Sequence, residues 1–298
     1  MRAIDLFAGA GGASMGIEAA GCEVVQAVEL DRLAAIAHRL NLRHVPVHRG
    51  DVRGWQPMAA DLWWASPPCQ AWSSAGAKLG ARDERNGWPW VFDALDRAEH
   101  RPAWLVCENV RGLTWHTKNC GDAMTCPGCY WEGVVLVEAR RRFKSVQVWT
   151  LDAADYGVAQ HRRRVFLVCG PHAATAPTAT HGDGLEPFAT MGGALGLRRV
   201  IGGGGNPHGK NRSQERNYRD LTDEPSTTVA ATQIGNAGPW VEERDDRRRL
   251  TVSECATLQD FPAAAVFVGN KGDQYRQVGN AVPPKLAQVV IEAVMRAC

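Results

Sequence analysis

Short apolar runs at residues 3–7, 24–28, 62–65, 104–107, 146–149 and 165–169 recur between stretches whose apolar positions follow a helical spacing. Runs this short and this continuous fit strands buried on both faces, and their alternation with helices predicts βα units. The pattern therefore predicts an α/β fold built on a mostly parallel sheet with helices on both faces. Beyond about residue 175 the apolar pattern fades into Thr, Ala and Gly, passes through Gly202-Gly203-Gly204-Gly205, and stays irregular up to the helical stretch from Ser253. That break predicts a second, smaller lobe. Pro283-Pro284-Lys285 then opens a segment from Leu286 to Met295 with helical apolar spacing, a predicted helix that packs back on the first lobe. The expected division is 1–178 plus 272–298 for the larger domain and 179–271 for the smaller.

Charge changes this picture locally rather than globally. The 34 Lys and Arg nearly balance the 32 Asp and Glu, leaving +2 over 298 residues, so a polyanionic partner must be met by local patches. One such patch spans residues 196–220, where Arg198, Arg199, Lys210, Arg212, Arg216 and Arg219 stand against Glu215 and Asp220. The opening residues run straight into glycines with neither a basic nor a long apolar stretch, so no signal peptide is expected. No apolar run approaches the ~20 residues of a membrane span. With nine cysteines, an odd number at irregular positions, the reading expects reduced thiols and a cytoplasmic protein without a membrane partner.

Candidate chemistry gathers at the predicted strand ends. Gly9, Gly11 and Gly12 follow the first strand, where backbone must approach a ligand and open a helix, but Ser14 occupies the position of the third Gly in Gly-x-Gly-x-x-Gly. NAD binding is therefore disfavoured. Glu29 ends the second run and could accept both hydroxyls of a ribose, and Asp51 could accept an adenine amino group. After the strand at 62–65, Pro67-Pro68-Cys69-Gln70 fixes a thiol at a strand's C-terminal edge, where open α/β sheets hold ligands. The polar, basic stretch from 71 to 90, with Ser73, Lys78, Arg82 and Arg85, suits contacts to phosphates. Glu108 ends the next strand as a candidate proton donor, and Arg162 and Arg164 alternate to one side entering the strand at 165.

A separate cluster, His116, Cys120, Cys126 and Cys129, offers four N or S ligands to one structural zinc. A redox Cys-x-x-Cys usually opens a helix in a thioredoxin-like context, which the pattern lacks. Lys118 and Trp131 beside this cluster could face a polyanionic partner.

In their order, Asp-Leu-Phe-x-Gly-x-Gly-Gly at 5–12, Pro-Pro-Cys-Gln at 67–70, Glu-Asn-Val at 108–110, Gln-x-Arg-x-Arg at 160–164, Arg249-Leu250-Thr251 with Glu254, and Tyr275 to Pro284 resemble the DNA (cytosine-5)-methyltransferases. The resemblance implies a Rossmann-like S-adenosylmethionine-dependent methyltransferase sheet with a smaller target-recognition lobe. It implies that Phe7, Gly9, Ala10, Gly11, Gly12, Glu29, Leu30, Asp51, Val52, Pro68, Asn280, Ala281 and Val282 line the cofactor site. Cys69 would be the nucleophile, Glu108 the acid, and Arg162 and Arg164 the base and phosphate contacts. Gln70, Gln160, Lys210, Arg212 and Arg216 would join Ser73, Lys78, Arg82 and Arg85 at duplex DNA. A monomer is expected, with a cognate restriction enzyme as an open partner. Within 86–90 the family's apolar cofactor contact aligns to no single residue, and 116–129 has no counterpart in the family's minimal form. A tRNA-modifying branch shares Pro-Pro-Cys and Glu-Asn-Val but carries a Cys-Phe-Thr tripeptide that this chain lacks. A noncatalytic DNA-binding relative is disfavoured by the intact Cys69, Glu108 and Arg164.

Overall fold

The computed structural model of the chain describes residues 1–68, 70, 72, 80–117, 120–197, 200–202, 219–231, 240–243 and 246–298. Cys69, Ser73, Lys78, Lys118, Arg198, Arg199, Lys210, Arg212 and Arg216 lie outside the described residues. Among those described, β1 (Arg2–Leu6), β2 (Glu23–Glu29), β3 (Val47–Arg49), β4 (Leu62–Ala65), β5 (Trp104–Val110), β6 (Ser145–Asp152) and β7 (Arg163–Gly170) form one sheet in the order β3-β2-β1-β4-β5-β7-β6. The first five pair in parallel, as expected from their βα spacing.

The last two runs do not continue that pattern, which corrects their reading as further βα units. β7 pairs antiparallel with both β5 and β6. Only residues 153–162 join β6 to β7, and a parallel crossover takes a dozen or more residues. The chain therefore turns back on itself.

Successive residues of each strand feed two different cores, which is why the runs read as continuously apolar. Ala3, Val24, Leu62, Trp64 and Val106 face one side, where Ile17 of α1 (Gly12–Ala19) and Leu286, Val290 and Ile291 of the C-terminal helix join them. Ile4, Leu6, Val28, Trp63, Leu105 and Cys107 face the other, against α3 (Trp88–Arg97) and α5 (Leu136–Arg142). A further helix, α2 (Arg32–Asn41), is capped by the Asp31 carboxylate, which accepts from the amides of Leu33 and Ala34.

A second, antiparallel sheet holds β8 (Val200–Gly202), β9 (Arg219–Asp220), β10 (Trp240–Glu243) and β11 (Asp246–Arg249), in the order β11-β10-β8-β9. These strands of two to four residues sit in the stretch read from sequence as irregular. They are too short to display an alternation, and β11 reads Asp-Arg-Arg-Arg. Beside them, α6 (Met191–Leu195), α7 (Val252–Leu258) and α8 (Lys271–Asn280) enclose a third core that includes Met191, Leu221, Leu258, Phe261 and Val278. Among the described residues no helix is long and apolar enough to cross a membrane.

The predicted terminal helix, α9 (Pro284–Met295), lies on α1 with proline in its first turn. Their approach is set by Gly16, where an added Cβ would fall 2.2 Å from the Pro284 carbonyl oxygen and 2.6 Å from the Ala287 Cβ. Gly16→Ala should consequently cost roughly 1–3 kcal/mol of stability, the usual penalty of overpacking, read as a lowered midpoint in urea unfolding.

Candidate active site

The parallel register aligns one buried apolar layer, Val28, Leu6, Ala65 and Cys107, across β2, β1, β4 and β5. The next residue of each strand path, Glu29, Phe7, Ser66 and Glu108, opens into a cavity of about 540 Å³. This is the edge where an open α/β sheet offers its ligand crevice. From the sequence-derived cofactor set, Phe7, Gly9, Gly12, Glu29, Leu30, Asp51, Val52, Pro68, Asn280, Ala281 and Val282 line this cavity, whereas Ala10 and Gly11 do not. Ala10 is buried, and a Cβ on Gly11 would meet the His38 ring at 3.2 Å.

Leaving β1, the chain takes positive φ at Phe7 (60°), Gly9 (54°) and Gly11 (99°), a tight turn that glycine makes cheap. The Glu29 carboxylate holds that turn by accepting from the Gly9 amide at 2.8 Å and from the Asp31 amide at 2.6 Å, and burial raises its pKa. Asp51 accepts from Arg53 Nε and Nη2 at 3.0 and 2.6 Å, which lowers its pKa. The Arg53 guanidinium lies 4.7 Å from the Trp90 ring centroid. Trp90 is the residue of the unaligned 86–90 segment that reaches the cavity. Sequence reasoning missed it because three aromatic and proline positions in a row gave no way to choose the inward one. Arg276 and Gln277 also line the cavity, inside the closing motif but unassigned from sequence.

Beneath the glycine turn, Ser14 Oγ is hydrogen-bonded to Asp5 Oδ2 at 2.6 Å and to His38 Nε2 at 3.0 Å. Ser14 thus ties α1 to β1 and α2 where a dinucleotide fold would place its third glycine. Burial pushes the Asp5 pKa up to about 7 and the His38 pKa down to about 4.

On the opposite wall, Arg164 Nε meets Glu108 Oε1 at 2.8 Å, and both groups line the cavity. Asn109 Nδ2 donates to the Pro67 carbonyl at 3.0 Å, pinning the Pro-Pro turn to β5. Cys69 lies outside the described residues, but its chain neighbours Pro68 and Gln70 both line the cavity. The Gln70 side-chain oxygen is buried there without a hydrogen-bond partner among the described residues. Cys107, next to Glu108, is fully buried in the apolar layer, and desolvation raises its pKa well above the ordinary thiol value, so it is no rival nucleophile.

Arg162, expected at the base or phosphate, lines the cavity, and Gln160, expected at DNA, is buried. Arg162 is 2 % exposed and gives its Nη atoms to the carbonyls of Val229, Gly279 and Ala281 at 2.8–3.1 Å. Gln160 is fully buried, donating to the Leu258 carbonyl and Gln259 and accepting from the Val229 amide. It is an interlobe joint rather than a surface contact. Arg82 is exposed, and Arg85 lines the cavity while paired with Asp83 at 2.7 Å.

The His116, Cys120, Cys126 and Cys129 ligand atoms lie within 4.8 Å of one another. Cys120 Sγ is 3.0 Å from His116 Nδ1, 3.4 Å from Cys126 Sγ and 2.7 Å from Cys129 Sγ. The Cys-x-x-Cys opens a short helix, α4 (Pro127–Tyr130), with Cys126 at its N-cap. What separates it from a redox pair is the convergence of the other two donors. Trp131 is buried edge-on against Trp88 and does not face DNA.

A family model described as C-5 cytosine-specific DNA methylase matches residues 1–178 and 194–296. The chain belongs to the C-5 cytosine-specific DNA methylase family. It is 31% identical over 308 residues to the Type II methyltransferase M.AplI of Arthrospira platensis, covering 98% of this chain and 84% of that protein. It is 30% identical over 338 residues to the Type II methyltransferase M1.HphI of Haemophilus parahaemolyticus, covering 98% and 86%. The solved Dnmt2 methyltransferase of S. pombe shares the fold with a TM-score of 0.74 at 16% identity, over 100% of this chain and 99% of that one. This methylase is thus an S-adenosylmethionine-dependent DNA (cytosine-5)-methyltransferase on a Rossmann-like α/β sheet.

The buried Asp5 generates a pH-dependent prediction. Its folded pKa of about 7 stands above the unfolded 3.8, so the unfolded chain releases its proton first and stability falls as pH rises between those values. Asp5→Asn removes that penalty: its stability gain over wild type should grow from pH about 4 to about 7, up to roughly 4 kcal/mol. Unfolding of both proteins across this range reads the difference, from which the shared His38 contribution cancels.

Proposed function

We propose that this methylase transfers a methyl group to C5 of a cytosine flipped out of duplex DNA at a specific short site, through a transient bond from Cys69. The observation that supports it most is the Glu108–Arg164 pair on the wall of the same cavity that the Pro-Pro turn and the acids Glu29 and Asp51 line. In this reading 1–178 plus 272–298 form the catalytic domain and 179–271 the target-recognition domain.

The cavity suits an adenosine bearing a charged sulfur. Glu29 supplies a buried carboxylate for ribose hydroxyls, Asp51 a carboxylate for an amino group, and Phe7, Leu30, Val52, Pro68 and Trp90 supply apolar walls. S-adenosylmethionine, when bound, offers an electrophilic methyl group on a sulfonium. Cytosine C5 is too weak a nucleophile to take it unaided. Addition of the Cys69 thiolate to C6, with Glu108 protonating N3, pushes electron density onto C5. Arg164 holds O2 and stabilises the charge that develops there. When C5 takes the methyl group the sulfonium would be left as a neutral thioether; water, as base, then removes the C5 proton, and that C–H electron pair restores the 5,6 double bond and expels the thiolate while N3 returns its proton to Glu108. The base reaches these groups only outside the stack, at a cost of a few kcal/mol. Arg162 positions the site by bracing 229 and 279–281 behind Arg164.

Gln70, Ser73, Lys78, Arg82 and Arg85 would meet the flipped base and flanking phosphates, and Lys210, Arg212 and Arg216 the duplex at the smaller lobe. The Type II relatives favour a cognate restriction enzyme as a functional partner, with the methylase acting as a cytoplasmic monomer on prokaryotic or phage DNA. One structural zinc on His116, Cys120, Cys126 and Cys129 completes the cofactor assignment, since one imidazole and three thiols within 4.8 Å of one another supply the four N and S donors that a structural zinc takes.

Labelled S-adenosylmethionine should transfer methyl to duplex DNA and not to tRNA, with bisulfite sequencing placing the mark at cytosine C5 in one short site. Cys69→Ser should bind S-adenosylmethionine normally and lose transfer by several orders of magnitude. Transfer to tRNA alone, or near-normal turnover in the serine variant, would overturn the reading.

A further inference from the structure

We infer that the zinc clip braces the Pro-Pro-Cys turn, so that metal occupancy sets the rate of the chemical step. This rests on the zinc assignment proposed above.

The route runs through one residue. Cys126 and Cys129 stand at the start of α4, and the next residue, Tyr130, is buried on the side facing the active site. Its ring stacks on Trp72, with centroids 4.5 Å apart and planes 24° from parallel. Its hydroxyl accepts from Asn86 Nδ2 at 2.9 Å. The neighbouring Gly87 packs so closely on the turn that a Cβ there would fall 2.8 Å from Pro68 Cδ and 3.0 Å from Pro67 Cβ. The helical turn carrying two of the thiols is thus two contacts from the prolines that precede Cys69.

The same loop holds the chain farther along. Ala81 donates its amide to the Met124 carbonyl at 2.9 Å, and Gly80, at φ +63°, leaves only 2.2 Å between a Cβ and that oxygen. Trp72 and Gly80–Ala81, on either side of residues 73–79, therefore both bear on the loop that the four ligands close.

That loop is held by backbone and Asp122 hydrogen bonds rather than by an apolar core. The described residues from Trp115 to Thr125 form no helix or strand, Trp115 is 57% exposed and Met124 41% exposed. A polar loop without an apolar core is the kind of element that a structural metal staples. With the metal in place, Tyr130 is fixed and pins Trp72 and Asn86; without it, the brace depends on three thiols and an imidazole that repay no desolvation. A nucleophile displaced by about 1 Å can lose roughly 10²-fold in rate, whereas the cofactor walls formed by Glu29, Asp51 and 280–282 lie on other elements.

Elemental analysis of the purified chain, single-turnover methylation of duplex DNA and equilibrium binding of S-adenosylmethionine test the coupling together. Wild type should carry one zinc per chain. Cys129→Ser should lose the metal and slow the single turnover roughly 10- to 100-fold, with S-adenosylmethionine affinity falling far less, since Pro68 is one wall among several of that cavity. Tyr130→Ala should keep its zinc and show the same split between rate and affinity. Tyr130→Phe, which removes one hydroxyl and keeps the ring, should keep its zinc and slow several-fold, so the route stays testable if the alanine variant does not fold. Wild type purified without zinc overturns both the metal assignment and the brace. Zinc in wild type with a full rate in Cys129→Ser, or a full rate in Tyr130→Phe, overturns the brace alone. A zinc-loaded wild type that transfers no methyl to DNA overturns the methyltransferase reading instead.

Discussion

The parallel pairing of β1, β2, β4 and β5 decides where chemistry happens in this chain. Because Val28, Leu6, Ala65 and Cys107 lie side by side as one buried layer, the residues that follow them, Glu29, Phe7, Ser66 and Glu108, must emerge together at one edge. Parallel strands are buried on both faces, so polar groups are admitted only past the last apolar layer. Glu29 and Glu108 therefore open on one cavity by register, although 79 positions separate them in the chain. Glycines at 9 and 11 make the sharpest of these exits possible, and the Glu29 carboxylate then locks it from the adjacent strand.

The register supplies three walls of the cavity, and a buried polar joint supplies the fourth. Arg162 satisfies carbonyls from 229, 279 and 281, while Gln160 and Gln259 exchange hydrogen bonds with each other and with 229, 258 and 278. Such a network is stabilising only when its members are satisfied, and leaving one buried partner unpaired is costly. The network sits two residues from Arg164, which pairs with Glu108, and it ties this strand to the 276–282 segment that lines the same cavity. A charge that looks like surface chemistry in the sequence is here the fastener between two parts of the fold.

Much of this was legible in the residues themselves. Continuous apolar runs mark two-sided strands, glycines mark the turn, and Pro-Pro-Cys and Glu-Asn-Val mark strand ends, because each is a local requirement of backbone or burial. The four candidate metal-ligand residues were legible from donor type and the Cys-x-x-Cys spacing, and the structure brings them together. What could not be read depends on partners far along the chain. The burial of Gln160 and Arg162 comes from carbonyls about 70 to 120 positions away, and the inward side of Trp90 from its packing beside Arg53. The β6–β7 hairpin and the short strands of the smaller lobe escaped for a different reason: connection length and pairing direction, rather than apolar periodicity, determine them.

The claim that ties the account together is a covalent step at Cys69 within a cavity assembled by strand register. Duplex DNA carrying 5-fluorocytosine at the methylated position tests it directly, because fluorine at C5 cannot leave as a proton and the adduct persists once the methyl group has been transferred. Incubation with S-adenosylmethionine, digestion and mass mapping should place the nucleotide on the peptide containing Cys69. A nucleotide on the peptide containing Cys107, or no adduct from protein that methylates ordinary DNA, would contradict the account.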